Sequence, residues 1–97
     1  MIKPTRPRIK NTVKLFKIFS AETRLRIIAL LSEGEHCVQD ICNTLKMSQS
    51  SISHQLRLLR DLNVVKARRA GKNIYYSLKD THIKDIFHVG FTHANEC

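Results

Sequence analysis

Apolar residues recur at helical spacing in five stretches of this chain, broken once by a segment whose spacing is that of strands. From Ile9 to Phe19 the positions Ile9, Val13, Phe16 and Phe19 predict a first helix with Lys10, Lys14 and Lys17 outside. Ser20 is placed to cap a second helix, and Glu22 suits the positive end of its dipole. Leu25, Ile28 and Leu31 give that helix its stripe, Ile27 and Leu30 widen it, and Gly34 ends it. Val38, Ile41, Cys42 and Leu45 sit at i, i+3, i+4 and i+7, which predicts a short third helix. Beyond Lys46 and Met47, Ser48 can cap a fourth helix by offering its hydroxyl to the Ser51 amide.

The fourth helix has two legible faces. Ile52, Leu56, Leu59 and Leu62 form the one expected to be buried. Ser50, Ser53, His54 and Arg57 form a polar one at the same spacing, with Gln49 and Gln55 beside it. Short hydrogen-bonding side chains at the start of a helix, with Arg57 and Arg60 behind, suit major-groove reading. Helix, tight turn, helix of this polarity is the helix-turn-helix pattern; the bland alternative is a solvated face. Two β-rich runs follow, residues 64–69 and 74–78, around Ala70-Gly71-Lys72-Asn73. They predict a two-stranded hairpin with a basic tip, a wing whose Lys66, Arg68, Arg69 and Lys72 can reach phosphates. Charges on an exposed hairpin also protect its edges from pairing, and both roles are compatible.

The last stretch carries a different chemistry. As a helix, His82, Ile86, Val89, His93 and Glu96 fall on one stripe, and Ile83, Phe87, Phe91 and Ala94 on an apolar second. One face can pack on the domain while the other meets something else. His82 and His93 are separated by about 16 Å of helix axis, at about 1.5 Å per residue. One metal ion, held about 2 Å from each ligand, cannot bridge that span within a single helix. Two antiparallel copies would set Asp80 and His82 of one beside His93 and Glu96 of the other, giving two equivalent sites in a twofold dimer. Asp80 would face away in mid-helix, but at the N-cap its side chain can swing round.

Composition adds bounds. Ninety-seven residues make one domain, small enough for a dimer interface to help it bury apolar surface. The chain divides into a basic flexible arm, residues 1–8, and a single domain, residues 9–97; the arm reads equally as a solvated tail or as a DNA-touching segment. Seventeen Lys and Arg against eight Asp and Glu give a net charge of +9, which points to an anionic partner, nucleic acid before membrane surface. No apolar run has the length of a membrane span, and the basic start lacks a signal-peptide core, so a cytoplasmic location is expected. Cys37, Cys42 and Cys97 are an odd number in such a chain and are expected to be free thiols.

On these residues the chain resembles the ArsR/SmtB family of metal-sensing winged-helix repressors. The resemblance covers nearly all of residues 13–97 and is strongest in three places. These are Ser20-Ala21-Glu22-Thr23-Arg24-Leu25-Arg26-Ile27, Ser48-Gln49-Ser50-Ser51-Ile52-Ser53-His54-Gln55-Leu56, and the Tyr75-Tyr76 hairpin. It implies a mainly α winged helix-turn-helix fold with a small β-hairpin, forming a homodimer through first and last helices. The implied partner is double-stranded DNA with an inverted repeat, left when metal binds. The zinc- or cobalt-sensing branch carries a last-helix pattern that Asp80, His82, His93 and Glu96 match at all four positions. A second site in other members uses thiolates on the third helix; here Cys37-Val38-Gln39 supplies one of those cysteines, which leaves Cys37 as a possible secondary ligand. Cys42 reads as core, His88 as surface, and Cys97 could substitute for its neighbour Glu96.

The function expected is therefore a repressor whose apo dimer holds its operator and whose Zn(II)- or Co(II)-filled last-helix sites release it. Two imidazoles and two carboxylates suit borderline Zn²⁺ better than soft metals. Three rivals stand beside it. One is the same fold sensing thiol oxidation or a soft metal through Cys37 or Cys42. Another is a zinc hydrolase, against which four protein ligands leave no position for water. The third is a ligand-free architectural DNA binder.

Overall fold

The computed structural model describes residues 2–96, so Cys97 and its suggested ligand role lie outside the described residues. Within them the order is α1 (Arg6–Phe19), α2 (Glu22–Ser32), β1 (His36–Cys37), α3 (Val38–Leu45), α4 (Gln49–Asp61), β2 (Val65–Ala70), β3 (Asn73–Leu78) and α5 (Thr81–Ala94). This is the winged helix-turn-helix expected from the pattern, with one addition. The hairpin is part of a three-stranded antiparallel sheet, order β1-β3-β2, in which His36 faces Tyr76 and Cys37 faces Tyr75. Two residues are too short a strand to show a period, which is why β1 left no mark in the sequence.

Helix starts follow local chemistry. α1 begins at Arg6, three residues inside the stretch read as an arm, because a proline in the first turn removes an N–H that would be unpaired there anyway. Ser20 does not cap α2 as expected. It closes α1 instead, its hydroxyl donating to Lys17 O at 2.7 Å, and Ala21 takes the N-cap position. Ser48 does cap α4, accepting from Ser51 N at 3.2 Å. Between α3 and α4 the chain turns through Lys46 in the left-handed region at φ 55°, a conformation uncommon outside glycine. The wing turns on Gly71 at φ 63°, the first position of a two-residue loop that requires positive φ there.

The core is built by α2, α3, α4 and the base of the wing. Ile27, Ile28, Leu31, Ile41, Cys42, Leu45, Ile52, Leu56, Leu59, Val64 and Val65 are all buried, joined by Ile18 of α1 and Ile83 of α5. Two positions depart from expectation. Leu62, placed on the buried face of α4, is 45% exposed because it follows the last helical residue, where the chain leaves the helix. Leu25 lies at the surface, on a groove described below.

The outer helices are attached differently. Of the stripe expected on α1, Ile9, Val13 and Phe16 are each roughly half exposed, and only Phe19 packs on the core, where Ile18 and Leu15 join it in anchoring the helix. On α5 only Ile83 is buried, Phe87 is partly so, and Val89 and Phe91 remain open. The two elements flank an apolar groove of about 490 Å³ lined by Phe16, Phe19, Leu25, Phe87 and Phe91. The chain thus leaves uncovered the faces whose periodicity announced them.

Leu56 is fully buried, so Leu56→Ala should cost about 2–5 kcal/mol in urea unfolding. Leu62→Ala should cost under about 1 kcal/mol. Equal losses would contradict the placement of Leu62.

Candidate nucleic-acid interface and metal-ligating half-sites

α4 presents its polar face to solvent as the spacing implies: Gln49, Ser50, Ser53, His54 and Arg57 are exposed. Its first turn is held by a small hydroxyl cluster in which Ser48 Oγ lies 2.9 Å from Ser51 Oγ and 3.3 Å from Ser50 Oγ. Ser53 and His54 are free to meet a base edge, with Arg57 and Arg60 further along. Gln55 departs from this face. It is half-buried, and its side-chain oxygen is enclosed without a hydrogen-bond partner.

The wing carries Lys66, Arg69 and Lys72 on exposed positions, and among the described residues none of them forms an ion pair, although the charge of Lys66 acts on Glu35 from a distance. Arg68 is different. Its Nε and Nη2 donate to the two carboxylate oxygens of Glu35 at 3.1 and 2.6 Å, and its guanidinium lies 5.0 Å over the Tyr75 ring. The Arg68 side chain is thus engaged within the chain rather than held out for phosphate. Glu35 was not expected at this site. Its position just ahead of β1 had no significance until β1 itself was seen. The bidentate hydrogen bonds and the charge of Arg68 hold the Glu35 carboxyl below its ordinary range, and Arg68 is raised in turn. A carboxylate lowered in the fold contributes stability above its unfolded value and loses it as pH falls through the depressed one. This pair is therefore intact at neutral pH and dissolves only in acid.

At the start of α5, Asp80 is the N-cap, as the swing-round geometry required. One carboxylate oxygen accepts from Ile83 N at 3.3 Å, and the other lies 3.5 Å from His82 Nδ1. The two side chains are 47% and 84% exposed, so they form an outward-facing pair. At the far end, His93 and Glu96 line one open depression with His88, Val89 and Thr92. Among the described residues of one chain, no three His, Cys, Asp or Glu gather around a single point. The four candidate ligands are two half-sets at opposite ends of one helix. Cys37 is half-buried at the N-cap of α3, and Cys42 is in the core with both thiols free.

A recognition helix capped by serine, preceded by a tight turn and followed by a basic wing, defines a winged helix-turn-helix DNA-binding domain. Comparison with known proteins fixes the family. Residues 21–67 match the bacterial regulatory protein, arsR family. A cadmium resistance transcriptional regulatory protein CadC homolog of Staphylococcus aureus is 44% identical over 87 residues, which are 89% of this chain and 72% of that protein. A transcriptional repressor SmtB homolog of Synechocystis is 38% identical over 87 residues, 90% of this chain and 66% of that one. A homodimeric winged helix-turn-helix DNA-binding domain of Mycobacterium bovis, a possible ArsR-family regulator, superposes with a TM-score of 0.87 at 25% identity, covering 99% of this chain and 92% of that one. The chain belongs to the arsR family of bacterial regulatory proteins; it is a transcriptional regulator and not an enzyme. No helix among the described residues is long and apolar enough to cross a membrane.

Because phosphate contacts release counterions, Lys72→Ala should reduce the slope of log affinity against log salt by about 0.9 on any duplex. Ser53→Ala should leave that slope alone and relax base preference. An unchanged slope for Lys72→Ala would remove the wing tip from the interface.

Proposed function

We propose that this protein is a metal-responsive repressor. In this reading two copies pair through α1 and α5, hold an inverted-repeat operator in double-stranded DNA, and leave it when Zn(II), or Co(II), is bound between them. The observation that carries the reading is the division of ligands along α5. Asp80 and His82 meet at one end, His93 and Glu96 share the other, and Ile86 and Val89 lie between them. Antiparallel pairing of this helix with a second copy brings unlike ends together and covers the apolar surface in the same move. The donor set of two imidazoles and two carboxylates is chemically consistent with a borderline divalent ion, which Asp80 and His82 of one copy and His93 and Glu96 of the other would hold and which would supply a charged bridge between the copies. The name of the cadmium-resistance relative supports a metal as effector.

The chain's own residues do the rest. Asp80, fixed by its bond to Ile83 N, lies 3.5 Å from His82 at the start of the helix. His93 and Glu96 of a neighbour complete the set. Engaging all four sets one relative orientation of the paired α5 helices, and through them of the two α4 helices. DNA release follows if that orientation disagrees with successive major grooves, and reciprocity then makes DNA weaken metal binding by the same factor. In this reading the protein works in the cytoplasm.

A second reading keeps the fold and moves the sensor to a thiol. It is favoured by the cadmium-resistance relative and by Cys37, half-buried at the start of α3 and paired in register with Tyr75 of the wing. Cys42 contributes little to it, being packed in the core.

Fluorescence anisotropy on a duplex selected from a random pool separates the two. Zinc should weaken wild-type binding by about 5–150-fold, the usual range of allosteric coupling. His82→Ala should abolish the response and Cys37→Ser should retain it. A full zinc response in His82→Ala would sink the proposed site, and loss of response in Cys37→Ser would favour the thiol.

A further inference from the structure

The sheet is crossed by a side chain whose course differs from every other basic residue of the wing. Arg68 stands on β2 opposite Tyr75 of β3, and Tyr75 in turn stands opposite Cys37 of β1. Strand order is β1-β3-β2, so Glu35, just before β1, lies beyond the middle strand from Arg68. The guanidinium passes over the Tyr75 ring at 5.0 Å and closes on both oxygens of Glu35. Its planar fork and its stacking face are thus both in use, the two features by which arginine differs from lysine. The backbone tie of β1 to β3 is only two residues long. The side-chain bridge adds a second tie, from the outermost strand to the connection between α2 and α3.

We propose that Glu35 and Arg68 form a strap that fixes the tilt of the wing against the helical body, so that Arg68 is a positioning residue for DNA and not a phosphate contact. This rests on the reading of α4 and the wing as the DNA interface. With side chains 58% and 35% exposed, such a pair contributes little to global stability. Its effect lies in orientation. Lys66, Arg69 and Lys72 ride on the strands it holds, and phosphate contacts depend on where those charges are carried. Breaking either end should loosen the wing in the same way, whichever charge is removed.

Two measurements on the full chain test this. Amide hydrogen exchange of β2 and β3 without DNA should accelerate in Glu35→Gln and Arg68→Gln alike, no further in the double variant, and should return when Glu35→Arg is combined with Arg68→Glu. Binding to a random-sequence duplex should weaken several-fold in each single variant with the salt slope unchanged, while Lys72→Ala lowers the slope. A slope reduced by about 0.9 in Arg68→Gln but not in Glu35→Gln would make Arg68 a phosphate contact and overturn the proposal. Tighter binding with a steeper slope in Glu35→Gln would overturn it too, showing Glu35 as a mask. If wild type bound no duplex, the DNA reading would fall, and unaltered exchange in the variants would still refute the strap on its own.

Discussion

The structure depends on an apolar surface that the chain cannot cover by itself. α5 is pinned to the core by Ile83 and only partly by Phe87, and α1 by Ile18 with Leu15, while Ile9, Val13, Phe16, Val89 and Phe91 stay open. In a small domain such a face is too large a fraction of the apolar inventory to be left in water, and a twofold partner is the simplest cover. Pairing then decides much else. Under the proposed function it would set the distance between two recognition helices, and it alone would bring the two ends of α5 within reach of one ion.

The ligand geometry and the dimer are therefore a single proposition. Asp80 and His82 lie 3.5 Å apart at the surface of a monomer, where the imidazole is largely hydrated and the exposed contact adds little stability. Under the proposed function, a second copy would make them half of a four-ligand site. The capping bond to Ile83 N gives Asp80 a fixed place at the helix start. The N-cap thus serves the fold first and is available to the ligand set afterwards.

Most of this was legible in the sequence where a period or a cap rule applied. The stripes of α2, α3 and α4, the Ser48 cap, the Gly71 turn and the Asp80 N-cap all follow from spacing and side-chain chemistry that act within a few residues. What stayed hidden depends on contacts between distant segments. The strand His36–Cys37 exists because β3 is there to pair with it. Glu35 finds Arg68 across 33 positions, and no local pattern marks that meeting. Leu62 and Ser20 miscarried for a smaller reason: each stands at a helix end, where one residue's shift moves a side chain from core to solvent or from one cap to another. The uncovered stripes of α1 and α5 were read correctly as apolar, but a sequence cannot say whether its own chain or another will cover them.

The decisive measurement mixes two subunits. His82→Ala and His93→Ala are each purified, then unfolded and refolded together, and zinc stoichiometry is read on the separated mixed dimers. If unlike ends of α5 meet across the interface, each parent dimer has two damaged sites. The mixed dimer has one site damaged twice and one fully intact, so it should regain one tightly bound zinc. A mixed dimer that binds no more than its parents would contradict the shared site, and with it the account of how this regulator lets go of DNA.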